Sequence, residues 1–175
     1  MKKVTILLMA IAIIFAACTK EKTEIASKTK IDTEQSILPC PEYNLNVGGG
    51  ISNPSIGQLG SANGVFYVHN KSATATTGIV EVFITGFPNG TMTFPNLPAG
   101  ITQMTTTGYY TFNINQSILP QVAGNLLQNA ISIPFTYTNT SQASGMLTSS
   151  IRVSHKNAGE VDGSDNVAGT FILIN

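Results

Sequence analysis

Charge is scarce in this 175-residue chain: Asp, Glu, Lys and Arg make up 10% of it, nine acids balancing nine bases. An average soluble protein carries about 25%. A neutral chain this poor in cations excludes a basic nucleic-acid binder. Tryptophan is absent, and two His with two Cys are too few to build most multi-ligand metal sites. No stretch reaches the roughly 18 consecutive apolar residues that a membrane-spanning helix needs. The length fits one ordinary domain, or a small domain with tethers, and excludes a large multidomain machine.

What is present begins with an address. Lys2 and Lys3 precede an apolar run over residues 4–15, followed by Ala16, Ala17 and Cys18. That order is a signal peptide, residues 1–17, because the run is too short to span hydrocarbon as a helix. The small pair directly before a cysteine resembles the lipobox of bacterial lipoproteins, although Phe15 stands where an aliphatic residue is usual. The resemblance implies that Cys18 receives covalent lipid and becomes the first residue of the mature chain. The rival, simple secretory cleavage, would put bulky Phe15 three residues before the cut. By the same analogy Thr19, rather than Asp, after the cysteine implies passage to an outer membrane.

Residues 18–42 read as a lipidated cysteine and a flexible tether. Nine of the mature chain's charges fall here, among them Lys20, Glu21, Lys22, Glu24, Asp32 and Glu42, with few large apolar residues to bury. The charged segment resembles the export signals of surface-exposed lipoproteins. Cys40, between Pro39 and Pro41, has no partner within the chain once Cys18 is acylated, so it is a free thiol or bonds another molecule.

Residues 43–175 form the folded part and read as strands. Ile131, Ile133, Phe135 and Tyr137 alternate with Ser132, Pro134, Thr136 and Thr138, a half-buried strand near a sheet edge, since Pro cannot donate to a ladder. Leu147, Ile151 and Val153 alternate with Thr148, Arg152 and Ser154 in the same way. Further β-rich runs occur at 65–69, 79–85, 91–94, 109–114 and 167–174, with a weaker one at 43–47, punctuated by Gly, Pro and Asn turns. Residues 121–130 lack β character and read as a loop carrying Leu126 and Leu127 over one end. The expectation is an all-β, antiparallel sandwich of about seven strands, with a closed barrel as the architectural rival.

The strand Phe66-Tyr67-Val68-His69-Asn70, the stretch Thr77 through Ile84 into Phe87-Pro88-Asn89-Gly90, and the closing turn Gly159 to Asn166 before the last strand resemble the conserved-repeat, immunoglobulin-like modules of bacterial cell-surface proteins. The chain departs from them in having no Trp in its middle segment. The resemblance implies an immunoglobulin-like spacer, adhesive or assembly module, with no catalytic residues to carry over.

Candidate chemistry is thin. Glu160, Asp162, Asp165 and Asn166 place oxygens near a Gly-bearing turn, a candidate Ca²⁺ site, against the plain reading of a β-turn with solvated acids. His69 and His155 lack the neighbouring ligands a Zn²⁺ site needs. No G-x-S-x-G elbow is present, and Gly48-Gly49-Gly50 opens no helix and reads as a flexible joint. Tyr109 and Tyr110 are adjacent, so on a strand one points outward and is a candidate ligand contact. The expected function is non-enzymatic: a lipid-anchored outer-membrane or cell-surface protein, engaging the membrane through its lipid and another envelope protein through its sandwich. The alternative is a carbohydrate-binding surface module. No cofactor is expected beyond the covalent lipid.

Overall fold

The computed structural model describes residues 41–106, 109–160, 163 and 166–175. Cys18, Cys40, Asp162 and Asp165 lie outside the described residues, as does the side chain of Glu160.

The described residues form twelve strands and no α-helix: β1 (Glu42–Tyr43), β2 (Leu45–Ile51), β3 (Ser55–Ile56), β4 (Ser61–Asn70), β5 (Val80–Thr85), β6 (Gly90–Thr93), β7 (Ile101–Thr106), β8 (Tyr109–Ile114), β9 (Ile131–Asn139), β10 (Gly145–His155), β11 (Gly159–Glu160) and β12 (Val167–Ile174). Period-2 alternation gives most of the longer strands an apolar row, and two sheets bury those rows against each other. One sheet runs β2-β4-β9-β6 and the other β3-β12-β10-β5-β8-β7. Most pairs are antiparallel, while β3 joins β12, and β1 joins β11, in parallel.

The core takes Leu45, Phe66, Val68, Ile133, Phe135 and Tyr137 from the smaller sheet and Val82, Ile84, Phe112, Ile114, Ile151 and Ile172 from the larger. Without Trp, packed rings fill the core: Phe66 stacks 4.9 Å from Phe135, and Phe87 lies tilted 5.1 Å from Tyr137. Burial pushes the Tyr137 hydroxyl's pKa up, and the hydroxyl donates to the Pro88 carbonyl at 2.8 Å.

Three sequence expectations are refined. The triple glycine is not a joint but the middle of β2, paired with residues 65–67 of β4. A Cβ on Gly49 would come within 2.9 Å of the Phe66 ring, so close packing rather than flexibility explains that glycine. β7 escapes the alternation test because Ile101-Thr102-Gln103-Met104-Thr105-Thr106 has no clean apolar row. β9 is interior in the sheet order, yet β6 pairs only with residues 136–139, so Pro134 sits beyond the end of β6, where the strand has an open side.

The two ends of the sandwich differ. Where the chain enters at Pro41, Leu45 faces Asn70, the Lys71 N–H donates to the Asn44 carbonyl, and Gln121 bonds Asn70. The opposite end carries the chain's last residue, Asn175, beside Ile56.

Candidate functional site: the outer face of the six-stranded sheet

In a two-sheet sandwich the outward residues are ordinarily polar. Alternation along β12 instead sends Val167, Phe171 and Leu173 outward while Ile172 and Ile174 fill the core. On β10, Met146 pairs across from Leu173, Thr148 from Phe171 and Arg152 from Val167. The row continues across β5, β8 and β7, from Arg152 to Phe83, then Thr111 and Met104. The result is one face bearing Met146 (65% exposed), Phe171 (54%), Tyr109 (54%), Val167, Met104 and Leu173.

Among the described residues, charge on this face is limited to Arg152 and, at its margin, Glu81, which lies 3.8 Å from Lys156. Between the apolar groups lie small hydroxyls: Thr85 and Ser150 pair across strands and their hydroxyls meet at 3.2 Å. The free edge of the sheet on this side is β7, which carries no charged residue. Natural edge strands usually hold a charge or a bulge against unwanted pairing.

The structure separates the two candidate tyrosines. Tyr109 stands outward on this face. Tyr110 turns inward, its ring 5.1 Å from Phe94, and its hydroxyl accepts the Met92 N–H at 3.4 Å. Of the candidate Ca²⁺ set, Asp162 and Asp165 lie outside the described residues, and Glu160 is described only through its backbone, in β11 beside Tyr43. Asn166 is buried and its Oδ1 has no partner among the described residues. It borders a cleft of about 280 Å³ lined also by Arg152, Ser154, His155 and Gly163. Among the described residues no three His, Cys, Asp or Glu side chains come together as metal ligands.

The histidines lie in different sheets. His69 is buried on the outer side of β4, where desolvation lowers its pKa, opposed by a hydrogen bond to the Leu126 backbone and assisted by the nearby Lys71 charge. His155 hydrogen-bonds the Thr77 carbonyl and packs its ring 5.0 Å from Tyr43.

Sequence reasoning missed Met146, Phe171, Leu173 and Met104 as a surface set. The signal was in the last strand: Phe171-Ile172-Leu173-Ile174 is apolar at both parities, so a strand with one face in the core must show the other.

No family model and no curated protein matches the sequence. Solved structures do. The CARDB domain of a Pyrococcus furiosus protein, determined in complex with di-metal ions, matches over 76% of this chain and 94% of its own, at 16% identity and a TM-score of 0.50. The fold is an immunoglobulin-like β-sandwich. A cohesin module from a Clostridium perfringens family 33 glycoside hydrolase matches over 76% of this immunoglobulin-like chain and 98% of its own, at 9% identity and a TM-score of 0.45. Likeness at these identities speaks to fold alone.

Proposed function

We propose that the chain is a non-enzymatic, lipid-anchored envelope protein, held in an outer membrane through Cys18, whose sandwich contacts another envelope or surface protein. The observation that carries this reading is the outer face of the six-stranded sheet, where Met146, Phe171, Leu173 and Val167 stay exposed. Protein interfaces concentrate such side chains at their centres and exclude charge there. The hydroxyls of Thr85, Thr148 and Ser150 are covered at little cost, because they retain or exchange hydrogen bonds without stranding ions. Contact rather than catalysis fits the dispersal of reactive groups, with His69 and His155 in separate sheets.

A second reading is favoured by Tyr109, whose exposed ring offers a platform on which a sugar could stack.

Two readouts test the proposal in intact cells. A fatty-acid analogue should label the chain, and Cys18→Ser should abolish the label; an unlabelled wild-type chain contradicts the anchor. A photo-crosslinker at Phe171 should give a discrete protein adduct, and one at Thr136 on the other sheet should give none. Glycan binding that Tyr109→Ala removes without unfolding, together with no protein adduct at 171, would replace the protein partner with a carbohydrate.

A further inference from the structure

The loop joining β8 to β9 is uncharged and carries large apolar side chains on its surface. Residues 115–130 contain no charged residue. Their polar groups are spent on the loop itself and on its base. The Asn129 amide donates to the Pro120 carbonyl at 2.8 Å, and the Gln128 N–H donates to Asn125 Oδ1 at 3.3 Å. The Ile118 N–H donates to buried Thr76 Oγ1 at 2.8 Å, and the Asn70 amide donates to the Ile118 carbonyl at 2.9 Å. With its base pinned and Asn129 bonded back to Pro120, the segment 120–129 is a compact Ω-type element. Beside exposed Asn125, Gln128 and Asn129 the loop turns four large apolar side chains to solvent, Leu119, Val122, Leu126 and Leu127, with Leu126 and Leu127 66% and 58% exposed.

The place of this loop decides what covers it. Gln121 bonds Asn70, whose strand neighbour is Leu45, and Lys71 bonds Asn44, so the loop sits at the end where the chain enters the sandwich. Cys18 precedes Pro41 by 23 residues, a stretch that reaches no farther than about 80 Å even when extended. A lipid on Cys18 therefore keeps this end near the bilayer at high local concentration, where a weak contact is enough. Leucines in an uncharged loop suit the boundary between headgroups and acyl chains, and exposed Lys71 stands at the same end, as does exposed Glu42 in β1.

We infer that the loop at residues 119–127 is a membrane-contacting element that docks the domain, through Leu119, Val122, Leu126 and Leu127, on the bilayer that holds the Cys18 lipid. The inference rests on the lipid-anchor reading above and adds an orientation to it. The sandwich stands on its leucine loop, with Asn175 at the far end and the apolar sheet face turned sideways toward a partner.

The absence of Trp supplies the probe. Leu127→Trp and, as a control near the far end, Met146→Trp each make a single-tryptophan full-length protein, which is expressed in bacteria, purified as processed, and reconstituted into phosphatidylethanolamine/phosphatidylglycerol vesicles with brominated acyl chains. The mass of the N-terminal fragment reports the lipid separately. The expected result is a lipid-bearing chain in which bromine quenches about half the emission at 127 and little at 146. Adding Leu119→Ser and Leu126→Ser to Leu127→Trp should remove the quenching while the strand signal in circular dichroism persists. A lipid-bearing chain with no quenching at 127, or with equal quenching at both positions, overturns the loop contact and leaves the anchor standing. A free Cys18 overturns the anchor and this inference with it. If Leu127→Trp does not fold, Leu126→Trp is read by the same criteria.

Discussion

On the outer face of the four-stranded sheet, Ser61 and Thr138 face each other with hydroxyls 3.0 Å apart, and Thr136 donates to Asn63 at 2.8 Å. On the outer face of the six-stranded sheet the corresponding cross-strand neighbours are Met146 with Leu173, and Arg152 between Val167 and Phe83. Both faces belong to one core and one chain with few charges. The first shows how such a chain makes a wet surface, with threonine, serine and asparagine that keep β propensity and pair across strands. The second uses this solution only in part where β10 and β12 meet, with Thr148 across from Phe171 and Ser150 across from Gly169. A surface that leaves methionine, leucine and phenylalanine side by side when the polar alternative is in use on the other side is built to be covered.

The comparison can be broken most strongly by turning one face into the other. Met146→Thr, Phe171→Thr and Leu173→Thr together should lower affinity for the partner by 100-fold or more, about 3 kcal/mol, because partly exposed anchors dominate such contacts. Thermal unfolding should stay close to that of the wild type, since these side chains are about half exposed or more. A large fall in melting temperature would mean that the face stabilises the fold itself.

The reverse change is smaller. Thr136→Val removes the 2.8 Å bond to Asn63 on an exposed strand face and should cost about 1 kcal/mol or less, with no gain or loss of partner binding. Chemical denaturation and the same binding assay check both halves.

The smallest effect concerns the place where the four-stranded face is itself covered. His69 has its pKa lowered by burial, below the unfolded value of 6.5, so between the two values the unfolded chain binds the extra proton. Stability should therefore fall as pH is lowered through 6.5, levelling off below the folded pKa. Denaturant midpoints between pH 7.5 and 5 measure this slope, and His69→Gln should flatten it.

Much of the fold was legible because alternation is a strong signal where one strand face is dry and the other wet. Residues 131–138 and 147–153 announced β9 and β10 in this way. β7 stayed hidden because threonine and glutamine at an edge carry no apolar row, and β2 was cut short because three glycines in a row mimic a joint, although the nearby Phe66 ring is the reason for Gly49. The surface set was harder. It assembles from β12, β10, β5, β8 and β7, so its membership depends on a strand order that no local pattern encodes. Tyr109 is the exception, since adjacency to Tyr110 on one strand requires opposite faces.

Methionine oxidation reports whether the outer face of the six-stranded sheet is covered. Met104 and Met146 both lie on the apolar face and are exposed, whereas Met92 is buried in the core and serves as an internal reference. Mild peroxide should oxidise Met104 and Met146 in the purified protein and leave Met92 largely intact. In native membranes the account predicts that Met146, beside Phe171 and Leu173, is protected while the protein remains folded. Equal oxidation of Met146 in membranes and in solution would contradict it, and the outer face of the six-stranded sheet would then be bare surface.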